Sequence, residues 1–271
     1  MSQEQSRVVL ITGASSGLGR AAAEHLAALG HRVYGASRRP TAEPRPYETI
    51  ALDVTDDSSV ARGVAAVAEA AGRIDVLINN AGVGVAASIE DTTMEEAHWL
   101  METNFFGALR MCRAALPIMR AQGNGLIINI SSIGGLMGLP FQGLYSASKF
   151  AIEGLSEALR MEVAPYGIHV ALLEPGDFHT PFTGNRRPSA AAEGSPYAEA
   201  RARALAVIEA DETNGYPPEA IGPILARIIA SKRPRLRYQA GAAEQKLAAL
   251  LKRLLPAGLF ESILRDHYKV G

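Results

Sequence analysis

The sequence predicts an α/β fold: a Rossmann-type, doubly wound parallel sheet between two helical layers, in one domain spanning residues 1–271. Three observations point to it. Short runs rich in Val, Ile and Leu alternate with helical stretches through the first two-thirds of the chain, which is a βαβ rhythm. Those runs are apolar throughout rather than at every second position, so both faces of each strand are buried. At 271 residues and 48% hydrophobic content there is ample material for one large core.

Val8–Thr12 reads as the first strand and Leu18–Leu29 as the helix after it. Arg32–Ser37 is the second strand; a proline-rich turn and a short strand, Thr49–Leu52, follow. Asp57 or Ser58 caps a helix running to Ala71, since a short polar side chain there can accept from the first free backbone N–H groups. Ile74–Asn79 is the fourth strand, and a long helical region from about Met94 to Ala121 leads to strand Leu126–Ser131. A helix over Tyr145–Ala164 precedes strand His169–Leu173. Beyond Pro175 the rhythm fails: Thr180–Tyr197, rich in Pro, Gly, Ala and Arg, reads as a long loop, and a lid is expected over about residues 178–216. Helices resume at Ala198–Ala210 and Pro218–Ser231, and Arg235–Tyr238 supplies a last short strand. In the C-terminal extension, about residues 241–268, Leu247, Leu250, Leu251, Leu254 and Leu255 share one helical face, away from Lys246, Lys252 and Arg253. Such a face packs over the domain or the substrate mouth, lies on a membrane, or self-associates.

Composition narrows the function. A formal charge of -1 with dispersed basic residues offers no electrostatic basis for nucleic acid or an anionic membrane as main partner, so small molecules are expected. The run Lys232, Arg233, Arg235 and Arg237 reads as a solvated strand edge. One cysteine, Cys112, excludes an intramolecular disulfide and reads as a buried apolar residue. His25, His31, His98, His169 and His267 lack ligand spacing, so no metal is expected; His179, beside Phe178 and Phe182, is either a substrate contact or a surface-loop residue. No apolar run approaches the ~20 residues of a membrane span. The polar start of the chain shows no signal pattern, and a cytoplasmic protein with no integral membrane segment is expected.

Thr12-Gly13-Ala14-Ser15-Ser16-Gly17-Leu18-Gly19 joins the first strand to its helix. Glycines at 13, 17 and 19 let backbone approach a pyrophosphate at a helix N-terminus, with Ser15, Ser16 and Leu18 completing the turn. Asn79-Asn80-Ala81-Gly82 and Pro175-Gly176 leave later strands at the same carboxyl edge, so three turns converge on one crevice. Tyr145 and Lys149 stand four apart on a predicted helix, where positions i and i+4 share a face. An ammonium there favours the ionised phenol, and a phenol that can lose its proton is an acid and base for an alcohol. The glycine turn says where a hydride acceptor sits.

TGASSGLG, NNAG, Asn104, Ser132, the Y-x-x-x-K of Tyr145 and Lys149, and the P-G-x-x-x-T of Pro175 to Thr180 occur in the order found in short-chain dehydrogenases/reductases, with Ser132 13 residues before Tyr145. Over nearly its full length the chain resembles that family. From Tyr34-Gly35-Ala36-Ser37-Arg38-Arg39-Pro40 and the basic, leucine-rich C-terminus it is most similar to the 17β-hydroxysteroid and retinol dehydrogenase subgroup. The resemblance implies that Tyr145 is the general acid/base and that Lys149 also reaches the nicotinamide ribose. Ser132 then donates to the substrate oxygen, while Asn104 kinks its helix and holds a water in the proton path. It further implies that Asn80, Ala81 and Gly82 stabilise the sheet edge near the adenosine half. Asp53 and Val54 contact adenine, and Pro175, Gly176, Phe178 and Thr180 close on the nicotinamide side. Asp53 can equally be a simple cap after a strand.

NAD enzymes place an acid at the end of the second strand to hold the ribose hydroxyls. Here Ala36-Ser37-Arg38-Arg39 has none. A hydroxyl and guanidinium groups suit a 2′-phosphate, so NADP(H) is favoured, with NAD(H) as the alternative. Phe178, Phe182 and Tyr197 of the lid and Ile133, Leu136, Met137, Leu139 and Phe141 of the loop after Ser132 form an apolar lining, which predicts a small apolar alcohol or ketone as substrate. The expected reaction is therefore NAD(P)(H)-dependent interconversion of a hydrophobic secondary alcohol and its ketone, or of an aldehyde, in EC 1.1.1.-. A non-catalytic dinucleotide-sensing regulatory protein has no need of Ser132, Tyr145 and Lys149 together. Epimerases or dehydratases of the family run longer with a different glycine spacing, and enoyl reductases space Tyr and Lys more widely. The helices over Asn104–Ala121 and Tyr145–Ala164 have outer faces apolar enough for a homodimer or homotetramer.

Overall fold

The computed structural model describes residues 6–40, 43–189 and 194–270. In chain order its strands are β1 (Val8–Thr12), β2 (Arg32–Ser37), β3 (Glu48–Ala51), β4 (Val76–Asn79), β5 (Val85–Ala86), β6 (Gly125–Ile130), β7 (Ile168–Pro175), β8 (Arg187–Pro188) and β9 (Arg237–Ala240). Seven of them form one sheet in the order β3-β2-β1-β4-β6-β7-β9, with every neighbouring pair parallel. The order reverses between β1 and β4, which opens a crevice at their carboxyl ends.

The helices are α1 (Gly17–Ala28), α2 (Asp57–Ala71), α3 (Met94–Met101), α4 (Gly107–Gln122), α5 (Gly143–Val163), α6 (Ala198–Thr213), α7 (Ile221–Ala230), α8 (Ala243–Leu254) and α9 (Ala257–Tyr268). Because successive strand side chains point to opposite faces, each apolar run supplies two cores. Val9, Ile11 and Ile128 pack with Leu26 of α1 and Leu225 of α7. Val8, Leu10 and Ile127 pack with Val64 of α2 and Met111 and Met119 of α4. Each such aliphatic side chain contributes roughly 1.5–3 kcal/mol on full burial. Cys112 lies in the second core, 1% exposed, and burial pushes its thiol up to about 12.

Several boundaries differ from expectation for local reasons. The cap of α2 is Asp56, not Asp57 or Ser58: its carboxylate accepts from the Ser59 N–H at 2.6 Å, and Asp57 falls in the first turn, where negative charge suits the helix N-terminus. The long helix from Met94 is interrupted by a π-helical turn, Glu102–Phe106, between α3 and α4. The loop expected over Thr180–Tyr197 contributes β8, which pairs with β5; residues 190–193 of the expected lid lie outside the described residues. The last strand lies two residues further on than expected, and Arg237 is not merely solvated there. Its Nε lies 3.0 Å from Glu153 Oε2 and 3.2 Å from Glu174 Oε1.

The C-terminal extension is two helices, split where Pro256 cannot continue α8. They pack with α6 over the loop after Ser132, burying Met137, Leu139, Ile208, Ala249, Phe260 and Tyr268. Only part of the predicted leucine face takes part. Leu251 and Leu255 face this cluster, whereas Leu247, Leu250 and Leu254 are exposed.

Candidate active site

The β1–α1 turn is shaped by what its glycines permit. Gly13 has φ +68 and Gly17 φ +54, conformations that L side chains rarely adopt. A Cβ on Gly13 would lie 2.9 Å from Ala81 Cα, and one on Gly19 would collide with the Gly13 carbonyl and the Asn80 amide. The turn is braced from β4: Thr12 Oγ1 accepts from the backbone N–H of Asn80 at 3.0 Å and of Ala81 at 3.1 Å, and Asn80 Nδ2 donates to Thr12 O at 2.9 Å. Thr180 closes against it, with its Cβ 3.4 Å from where a Gly17 Cβ would stand. Exposed N–H groups at the start of α1, with no acid in its first turn, form a cradle that fits a dinucleotide pyrophosphate.

From this turn a cavity of about 570 Å³ runs across the carboxyl edge of the sheet. Gly13, Ser15, Ser16, Gly17 and Leu18 form its near end with Ser37 and Arg38. Asp53 and Val54, which follow edge strand β3, line it on that same side; Asn80, Ala81 and Gly82 follow β4, and Ser132, Tyr145 and Lys149 line it with Pro175, Gly176, Phe178, Thr180 and Phe182. Gly19 and Asn104 support the cavity from behind rather than lining it, and the exposed Arg39 is not on its wall. Asp53 serves its own turn as well, accepting from the Thr55 N–H at 2.9 Å and the Thr55 hydroxyl at 2.8 Å. Ser37 ends β2 and Arg38 follows it, with no carboxylate at either position.

Asn104 occupies the π-helical turn and is 2% exposed. Its Oδ1 accepts from Val83 N at 2.8 Å, and its Nδ2 donates to Val83 O at 3.0 Å and to Ser148 Oγ at 3.1 Å. That exchange with an adjacent backbone ties the bulge to the cavity wall. Ser132 begins a 3₁₀ turn, Ile133–Gly135, and its Oγ accepts from Gly134 N at 3.0 Å. Gly134 separates it from the phenol: a Cβ there would stand 3.5 Å from Ser132 Oγ and 3.3 Å from the Tyr145 ring.

Tyr145 and Lys149 share a face of α5, with Nζ 5.7 Å from the centre of the phenol ring. Lys149 Nζ donates to the carbonyl of Ile130 at 2.8 Å. Burial pulls this ammonium down to about 8, opposed by the nearby Glu153 carboxylate. The phenol shows the opposite of the sequence expectation. Burial raises Tyr145 above the ordinary value and hydrogen bonding with Ser132 lowers it; Glu212 raises it again, Arg186 opposes that, and Asp177 adds a smaller upward push. In this environment the phenol is protonated and able to donate, and further positive charge is needed before it ionises.

The rest of the cavity departs from the expected apolar lining. Ile133 and Leu139 face it, whereas Leu136 and Met137 pack under the C-terminal helices. Phe141 is corrected: with φ 58 it turns away and lines a second, shallower cavity with Pro140 and Tyr197. Tyr197 itself donates from its hydroxyl to Glu90 Oε2 at 2.8 Å, and His179 is exposed off the main cavity. Sequence reasoning missed Asp177, Asp211, Glu212 and Tyr268, all on the cavity wall. Asp177 is pushed up to about 6 by burial and then by Asp211 and Glu212, and it accepts from Gln245 Nε2 of α8. Glu212 is held by Arg186 at 2.5 Å and by the Thr183 hydroxyl at 2.6 Å. Asp177 lies inside the P-G-x-x-x-T stretch and was legible there; Tyr268, more than 120 residues beyond Tyr145, had no local signal.

Comparison with known proteins decides the family. Residues 7–191 match the family described as short chain dehydrogenase. The chain is a short-chain dehydrogenase/reductase. It is 46% identical to the 3-ketodihydrosphingosine reductase of Bacteroides thetaiotaomicron, covering 98% of this chain and 99% of that one. It is 40% identical to human 17-beta-hydroxysteroid dehydrogenase type 1 over 65% of this chain and 58% of the relative. Among solved structures, a short-chain dehydrogenase from Streptomyces avermitilis superposes with a TM-score of 0.81 at 37% identity, covering 98% and 97% of the two chains. A short-chain dehydrogenase/reductase from Burkholderia phymatum, in complex with NAD, gives 0.79 at 26% identity and coverage of 94% and 96%. This dehydrogenase/reductase is thus an NAD(P)-dependent oxidoreductase acting on CH–OH groups, in the hydroxysteroid and retinol dehydrogenase-like branch.

Proposed function

We propose that this enzyme interconverts a long-chain apolar ketone and its secondary alcohol with NADP(H), and that Tyr145 is the general acid/base. The observation that carries the reading is the convergence of the Ser132 hydroxyl, the Tyr145 phenol and the Lys149 ammonium on the cavity that begins at the glycine turn. A bound nicotinamide dinucleotide supplies or accepts the hydride. The glycine turn and the N-terminus of α1 hold its pyrophosphate, Val54 and Asp53 flank its adenine, and Lys149 anchors its ribose. During reduction Ser132 donates to the substrate oxygen, and Tyr145, protonated in its buried setting, gives that oxygen its proton. Lys149 then stabilises the phenolate left behind.

Ser37 and Arg38 support NADP(H) over NAD(H). A charge-assisted contact to a 2′-phosphate is worth about 1.5–3 kcal/mol. Arg38→Ala is therefore expected to raise the KM for NADPH roughly tenfold to a hundredfold and to leave that for NADH nearly unchanged. Should wild type and variant both prefer NADH, the phosphate assignment fails.

For the substrate, the similarity to a 3-ketodihydrosphingosine reductase and the carboxylates beside the phenol support the same class. Such a ketone carries a protonated amine on the adjoining carbon, and Asp177 offers it a carboxylate on the cavity wall, whereas Glu212 is paired with Arg186 and Asp211 with His267. Phe182, whose ring centre is 5.7 Å from that of Tyr145, and Ile208 offer apolar walls for the chain. NADPH consumption is to be measured with matched long-chain ketones with and without the adjacent amine. The amino ketone should give the higher kcat/KM, and Asp177→Asn should raise its KM about tenfold while sparing the amine-free ketone. Equal use of both ketones by the wild type refutes the amine preference. Phe106 of the π-helical turn before α4 and Phe150 of α5, 41% and 46% exposed, support association of copies through that side of the molecule.

A further inference from the structure

Of fourteen large apolar side chains exposed among the described residues, five lie on the last two helices: Leu247, Leu250 and Leu254 on α8, and Leu259 and Ile263 on α9. Single exposed leucines are ordinary, but these are ordered. Leu247, Leu250 and Leu254 follow i, i+3, i+7 spacing and are 52%, 50% and 69% exposed, while the opposite side of α8 places Ala249 in the core. Lys246 and Arg253 border the leucine strip along one edge. Across the two helices Lys246, Lys252, Arg253 and Arg265 outnumber Glu244, Glu261 and Asp266, with Lys269 just past the end of α9, although the whole chain carries a formal charge of -1. An apolar strip edged by cations matches the boundary between acyl chains and anionic headgroups, where long basic side chains keep their charge in the polar layer.

We propose that α8 and α9 seat this enzyme on the surface of an anionic lipid bilayer, with the exposed leucines and Ile263 entering the headgroup layer. No helix among the described residues is long and apolar enough to cross a membrane, so the attachment is peripheral. A second copy of the chain is a poorer occupant. Five side chains fall well short of the roughly 20–30 residues a side in a stable interface, and a two-fold contact through this face would bring its basic edge against itself. The placement has a consequence for the cavity below. Tyr268 of α9 lines that cavity and Gln245 of α8 donates to Asp177 within it, so the helices that meet the bilayer also roof the site.

Flotation of the full chain with vesicles tests this. Binding to phosphatidylcholine mixed with phosphatidylglycerol should exceed binding to phosphatidylcholine alone severalfold and should fall in high salt. The triple variant Leu247→Gln/Leu250→Gln/Leu254→Gln should lower partition at least about tenfold, and Lys246→Gln or Arg253→Gln about fivefold each. Thermal unfolding measured beside each variant separates a lost surface from a lost fold. No partition by the wild type, partition unaltered by the leucine variant, or a wild-type dimer that this variant converts to monomer would each overturn the proposal. Because binding is read without turnover, the result stands apart from the substrate assignment.

Discussion

Replacing Tyr145 with phenylalanine is expected to lower kcat/KM for ketone reduction about 10³-fold, because the substrate oxygen then has no positioned proton donor. The change removes one oxygen and keeps the ring, which packs beside Gly134 and Phe182. Dinucleotide affinity, read by fluorescence titration, should change less than about threefold, since the turn that cradles the pyrophosphate is built from β1, α1 and β4. The direction of proton flow matters here. Burial raises the phenol, so the enzyme without substrate is ready to donate. Oxidation of the alcohol needs the phenolate and should gain from rising pH where reduction does not. A phenylalanine variant that keeps most of its turnover would remove Tyr145 from the reaction.

Lys149 should show a second large effect, in two observables that move oppositely. Its pKa is lowered from 10.5 to about 8 because burial disfavours the cation. The unfolded chain therefore binds more protons than the folded one between about pH 8 and pH 10.5, and stability rises with pH through that window. Below it the buried ammonium costs a few kcal/mol. Lys149→Met should consequently raise Tm at neutral pH by a few degrees, even though the Ile130 carbonyl loses its donor at 2.8 Å. The same variant should lose about 10²- to 10³-fold in kcat/KM, since the phenolate then loses the cation on its own helix face. For the wild type, kcat/KM for reduction should decline on the alkaline side as the ammonium is lost near pH 8. A variant less stable than the wild type at pH 7 would contradict the buried-charge account.

The cofactor end was legible because its requirements are local. Glycines at 13 and 17 are demanded by positive φ, and the one at 19 by contact with the next turn, all within a single strand-to-helix junction. The Tyr145 and Lys149 pair was legible because four residues on a helix always share a face. What that pairing does to the phenol was not. The ammonium proved to be 5.7 Å from the ring centre and hydrogen-bonded to a strand carbonyl, while Asp177 and Glu212 arrived from segments distant in sequence. Phe141 shows the same limit: its composition fitted an apolar pocket, but a left-handed backbone aims it elsewhere.

The amphipathic C-terminus divides the two kinds of information most clearly. Spacing along the chain told that Leu247, Leu250, Leu251, Leu254 and Leu255 lie on one side of a helix. Which of them meet protein and which meet solvent depended on the angle at which α8, turned at Pro256, rests on α6 and on the loop after Ser132. Order along the chain by itself determined the parallel sheet, the dinucleotide cradle and the family, since periodicity, turn chemistry and short motifs are settled within a few residues. Tertiary structure alone decided the charge around the phenol, the residues that roof the cavity and the surface left bare, because electrostatics and burial depend on distances in space that no spacing in sequence encodes.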